Sequence, residues 1–220
     1  MQKKFQTRVL TLAIVATAGL LLAGCSGQGG PPEAAPEPEV LSASEAGGIY
    51  LDAICPVNAA WDAADVELER LRLTLSRGED DTRRFAAAMN EVAAASKTAA
   101  QELDPKTLDE AGHAWPKTAI SDIKAVQKTL TDDQKQAARV AKLTGSEVLN
   151  YAWQGSEEVG AAASAAREAL ALPADGQSAC AQWQEQIEAE KAAAEKAKAD
   201  KAAAEKAQAD KSNDKTGTNK

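Results

Sequence analysis

Three cysteines, Cys25, Cys55 and Cys180, carry most of the chemistry available to this chain. A thiolate can attack, ligate a metal or pair with a second sulfur. Spacing narrows the choice. No two are arranged as Cys-x-x-Cys, the usual redox form, and a structural zinc needs four ligands. The chain has 1 histidine, His113, in Ala111-Gly112-His113-Ala114-Trp115. A hydrolase would have to use it as its base, which leaves that as the remaining enzyme alternative. Multi-histidine metal sites are excluded. No Gly-rich phosphate loop or Gly-x-Ser-x-Gly elbow occurs. Carboxylates are plentiful, but Asp62 and Asp65, or Glu157 and Glu158, read as solvated helix faces. None stands out as an acid/base pair. The expectation is a chain with no catalytic residue, no metal and no cofactor, whose ligand-binding residues the sequence does not specify.

The elements around Cys25 give it a role. Lys3, Lys4 and Arg8 precede an apolar run from Val9 to Leu22, and Leu22-Ala23-Gly24-Cys25 follows. The run is too short for a comfortable span, which needs about 20 residues. In that order these parts form a secretory signal whose cleavage leaves Cys25 first. The motif resembles the signal of bacterial lipoproteins at each position. That resemblance implies a diacylglyceryl group on the Cys25 thiol, with the chain anchored on the extracytoplasmic face of the cell membrane. Cys55 and Cys180 then remain as an even pair in an exported domain. A disulfide is the expected use, ahead of a redox pair or a two-thiolate metal site.

Charge sets the class of partner. The chain has 25 basic and 33 acidic residues. Without residues 1–24 the balance is 22 against 33, and residues 47–190 alone hold 14 against 24. Nucleic acid and an anionic bilayer would both repel such a body. Residues 191–220 are the exception, with eight lysines against five acids.

Periodicity gives the architecture. After a Gly/Pro/Glu tether, expected to be disordered over residues 25–44, an apolar stripe begins. It runs Tyr50, Ile54, Val57, Trp61, Ala64, Leu68, Leu71, Leu75 in alternating steps of four and three. That is one face of a long helix. The stripe keeps phase across Pro56, so a kink is expected there rather than a helix start, and Gly78 ends it. Asp80 and Asp81 are expected to cap a second helix, striped by Phe85, Met89, Val92, Ser96, Ala99 and Leu103. A long connection through His113 and Trp115 leads to Pro116, suited to the first turn of a third helix. Ile123, Val126, Leu130, Ala137 and Val140 line that helix, and Thr131-Asp132-Asp133-Gln134 is a candidate break. A fourth helix, starting after Thr144-Gly145-Ser146 and ending at Pro173, carries Val148, Ala152, Gly155, Val159, Ala162, Ala166 and Ala169. This small-residue line is expected to face helix one. Tyr151 and Trp153 cannot both point inward from one helix, so one is expected to be exposed. Trp61 and Trp183 fit core stripes, and Trp115 fits the loop end.

From Ser178, Cys180, Trp183 and Ile187 continue a core-facing line. It fades into a ten-residue repeat at 191–200 and 201–210, rich in Ala, Lys and Glu, which reads as a solvated helix. It resembles, in composition, the Ala/Lys/Glu-rich helical spacers of envelope proteins.

Ile49-Tyr-Leu-Asp-Ala-Ile-Cys-Pro-Val-Asn58, Trp115-Pro116 and Cys180 resemble stretches of uncharacterised Ala-rich lipoproteins of actinobacteria. The resemblance spans roughly 45–185 and implies no activity. The expected molecule is all-α, an antiparallel bundle of four to five helices. Its parts are a signal (1–24), a tether (25–44), a bundle (45–188), a solvated helix (189–211) and a disordered tail (212–220). The expected role is a non-enzymatic interaction or structural module of the cell envelope, with an envelope protein or wall fragment as partner and no nucleic acid. The alternative is a lipoprotein that binds a small molecule or cation and feeds a membrane system.

Overall fold

The computed structural model describes residues 37–214. The signal, Cys25 and most of the tether therefore lie outside the described residues. Seven helices and one two-stranded sheet are present among those described. The strands are β1 (Glu39–Val40) and β2 (His113–Ala114). The helices are α1 (Ala43–Leu75), α2 (Arg83–Glu102), α3 (Pro105–Glu110), α4 (Ile120–Val140), α5 (Gly145–Leu149), α6 (Ser156–Ala169) and α7 (Gly176–Asp214).

The first stripe becomes α1, a single helix of 33 residues that continues through Pro56. Its start is built by a reciprocal cap. The Glu45 backbone donates to Ser42 Oγ at 3.3 Å, and the Ser42 backbone donates to Glu45 Oε2 at 3.0 Å. Residues 37–44 thus belong to the fold, which shortens the expected tether. β1 pairs in parallel with β2, Glu39 opposite His113 and Val40 opposite Ala114, and ties the chain's entry to the α3–α4 connection.

Two interior clusters divide the bundle along its length. One joins Tyr50, Ala53 and Val57 of α1 to Ala99 of α2 and Leu103 just after it, Ile123 and Val126 of α4, and Ala162 and Ala166 of α6. The other joins Ala64 and Leu71 to Phe85, Met89 and Val92, and to Ala137 and Val140. The N-terminal half of α1 therefore meets the C-terminal end of α2 and the N-terminal half of α4. Consecutive long helices run antiparallel, as a bundle with short connections requires.

The structure corrects several expectations. α4 is unbroken at Thr131, because its hydroxyl donates to the Gln127 carbonyl at 2.9 Å instead of capping a new helix. Pro116 precedes α4, its carbonyl accepting from Ala119 and Ile120 in the turn that leads in. Thr82, not Asp80 or Asp81, is the N-cap residue of α2; Asp81, just before it, accepts from Arg83 N at 3.2 Å, and the Arg83 side chain holds its carboxyl down at about 2. Asp80 instead accepts from Gly145 N at 3.1 Å, across the bundle end at the start of α5. A Cβ on Gly145 would meet Asp80 Oδ1 at 2.5 Å, so this contact needs glycine. α3 was not expected. Its signal was present, since Asp104 accepts from Lys106 N at 3.0 Å and Pro105 occupies the first turn.

The expected fourth helix is two, α5 and α6, separated by residues 150–155. Gly155 takes φ +81°, a left-handed conformation that suits glycine and stops the helix being read through. The buried alanines of α6 pack chiefly along α4. α1 meets the chain just after α6, where Leu172 lies 3.0 Å from the space a Cβ on Gly47 would fill.

Ser96 is fully buried in the second stripe, and its hydroxyl has no hydrogen-bond partner. A buried, unpaired polar group costs about 1–3 kcal/mol. Ser96→Ala removes the hydroxyl with little loss of volume. It is expected to raise the unfolding free energy by about 1 kcal/mol in urea melts; a loss of stability would mean the hydroxyl is paired in solution.

Candidate functional site

The sulfurs of Cys55 and Cys180 are bonded, with Cα atoms 5.5 Å apart and 125 residues between them in sequence. Asn58 Nδ2 points at the Cys180 sulfur from 3.6 Å. The next turn of α7 brings Trp183 over α1. Its Nε1 donates to Asp52 Oδ1 at 2.9 Å, and its ring edge lies 2.9 Å from the position of a Cβ on Gly48. Gly48 is thus the gap into which Trp183 fits. The pair of cysteines acts as a clamp holding α7 on α1.

His113 lies half-buried in β2, and its Nδ1 has no hydrogen-bond partner. No cluster of three or more His, Cys, Asp or Glu able to hold a metal occurs among the described residues. Trp115 is buried with its Nε1 unpaired, closing the loop end of the bundle as expected.

The feature that sequence reasoning missed is in the segment between α5 and α6. Released from helical geometry, Tyr151 and Trp153 point the same way, as residues two apart do in extended chain. Both are half-buried, so neither is the expected exposed contact. Trp153 meets Trp61 edge to face, centroids 4.8 Å apart, and Tyr151 at 5.8 Å. With Leu68, Phe85 and Met89 they wall a half-open cleft of about 170 Å³, with exposed Asp65 on its lining. Gln136 of α4 fixes the segment from behind: its Oε1 accepts from Gln154 N at 3.0 Å and Tyr151 Oη at 3.3 Å, and its Nε2 donates to the Gln154 carbonyl at 2.9 Å.

Trp153 Nε1 donates to Asp133 Oδ1 at 3.2 Å. Asp133 is a buried carboxyl in the middle of α4. Burial pushes it above the usual aspartate range, the Trp153 N–H opposes the rise, and the charge of Asp132 adds to it. Between the ordinary and the raised pKa the folded chain holds the proton more firmly than the unfolded one. Its contribution to stability therefore falls as pH rises through that interval. Asp133→Asn should flatten this decline in urea melts run between about pH 4 and pH 7; an unchanged slope would count against it.

A second groove, between α1 and α2, is larger, about 340 Å³, and is walled by alanines with Asp52, Glu91 and Glu102. Burial, with the charge of Asp52, raises the Glu102 carboxyl. The aromatic cleft favours flat or apolar groups, while this groove favours cations.

Neither a family model, nor a curated protein, nor a solved structure matches this chain.

Proposed function

We propose that the chain is an exported lipoprotein, anchored through an acylated Cys25 to the extracytoplasmic face of the cell membrane. There its helical bundle serves as a non-enzymatic interaction module. The observation that carries this reading is Leu22-Ala23-Gly24-Cys25 behind a basic start and an apolar run. The Cys55–Cys180 bond supports it, since disulfides form and persist in oxidising compartments outside the cytoplasm. No described helix is long and apolar enough to cross a membrane, so an anchor of this kind would rest on the N-terminal segment.

The test is direct. Cells fed an alkyne fatty acid should yield a labelled protein in the membrane fraction. Cys25→Ala should lose the label and retain the uncleaved signal. A labelled Cys25→Ala protein, or an unlabelled parent of full length, would overturn the reading.

The aromatic cleft favours a second reading, capture of a small ligand. It lies among Trp61, Leu68 and Phe85, in the half of the bundle away from the N-terminus of α1. Aromatic faces attract organic cations as well as apolar groups, and Asp65 adds a negative charge to the cleft wall. Quenching of tryptophan fluorescence by one compound from a panel of alkylammonium and aromatic ligands, lost in Trp61→Ala, would support it.

A further inference from the structure

The chain has 4 Trp, 2 Tyr and 2 Phe, and four of these residues, Trp61, Phe85, Tyr151 and Trp153, line a single cleft of about 170 Å³. They come from three places in the sequence: α1, α2 and the segment between α5 and α6. Trp153 stands at 84° to Trp61 and at 67° to Tyr151. Rings set near right angles form a corner walled by π faces, and those faces carry the negative part of the ring quadrupole. All three rings are half-buried, so part of each stays open to a ligand.

The polar groups around the cleft select among ligands. Trp153 Nε1 donates to Asp133 and Tyr151 Oη donates to Gln136, and neither acceptor lines the cleft. Two donors that an anion could have used are thus engaged elsewhere. No basic residue lines the cleft, whereas exposed Asp65 does. Among the described residues no cation pairs with Asp65. The surrounding body, residues 47–190, holds 14 basic residues against 24 acidic and attracts cations from further off. The kind of cation follows from the walls. A primary ammonium has three N–H donors to satisfy, and apart from Asp65 the lining side chains are aromatic or aliphatic. On entry it would lose hydrogen bonds to water that these walls do not replace. A nitrogen that carries methyl groups in place of those hydrogens loses none, and its diffuse charge suits ring faces.

We propose that this cleft is a binding site for a methylated ammonium group, held against Trp61, Tyr151 and Trp153 with Asp65 as its counter-ion. The proposal rests on the reading of the cleft as a small-ligand site and names its ligand class. A half-open cleft of this volume takes the cationic head and leaves whatever is attached to it in solvent. A free choline-like solute and a lipid headgroup both present such a head.

The experiment is calorimetric titration of the full-length protein in an uncharged detergent. The probes are choline, glycerophosphocholine and the neutral isostere of choline in which a tert-butyl group replaces trimethylammonium. Choline should bind about ten-fold more tightly than the isostere. Asp65→Asn, a change at an exposed position, should reduce that preference to about three-fold and leave the affinity for the isostere as it was. Binding of choline but not glycerophosphocholine assigns a free solute, and binding of both assigns a headgroup; either upholds the site. Equal affinity for choline and the isostere overturns the cation site and leaves small-ligand capture standing. Binding of none of the three also overturns the cation site. If no aromatic ligand quenches the tryptophan fluorescence either, the small-ligand reading falls with it.

Discussion

Replacing Cys55 and Cys180 together by alanine is expected to lower the unfolding free energy by about 4–5 kcal/mol, and Tm by about 10–15 °C. The bond closes a sequence separation of 125 residues, so its loss frees a large part of the unfolded chain's entropy. It also joins the first long helix to the last. α7 is otherwise held on α1 by little more than buried Ala179, half-buried Trp183 and the Trp183–Asp52 hydrogen bond. Two observables should therefore move. Global melting should shift down, and Trp183 emission should move to longer wavelength as the helix swings free. A red shift with Tm unchanged would mean that the bond only docks α7 and does not constrain folding of the rest of the bundle. The double variant is the right comparison, since a single replacement leaves a free thiol that can pair with another chain.

How far the sequence speaks depends on how large its apolar residues are. The stripes through Tyr50, Val57 and Leu71, through Phe85, Met89 and Val92, and through Ile123, Val126 and Val140 all face the interior. In each, side chains of distinct bulk recur at helical spacing, so only one phase of one element buries them. The line assigned to a single fourth helix relied on Ala152, Gly155, Ala162 and Ala166. Alanine fits almost any phase, so the pattern could not register a break. The stronger signal was Tyr151 and Trp153, two apart. Two large aromatics at that spacing fit an extended segment with both turned inward, and the chain leaves helical geometry there. Asp80 was legible as a cap but not as the cap of which helix, because its partner, Gly145, lies 65 residues away. The two-residue strands have no period long enough to read. The disulfide was legible for a different reason: with Cys25 assigned to lipid, only one pairing remained.

Trp153→Ala should be the most damaging change at the candidate site, about 3–5 kcal/mol, because it empties one wall of the cleft and strips Asp133 of its donor. Trp153→Phe separates the two effects. It keeps an aromatic ring against Trp61 and removes the N–H, so the expected cost is about 1–3 kcal/mol, the penalty of an unpaired buried group. The pH dependence identifies which group is left unpaired. The Trp153 N–H lowers the pKa of Asp133 against the rise imposed by burial. Without it the carboxyl should titrate at still higher pH. Protonated Asp133 has little need of the donor and ionised Asp133 has much, so the cost of Trp153→Phe should be small in acid and grow toward neutral pH. In an Asp133→Asn background the cost should lose this slope, since the amide carries no charge at any pH. A cost independent of pH in both backgrounds would assign the effect of Trp153 to ring packing alone, and Asp133 would then be a bystander to the cleft.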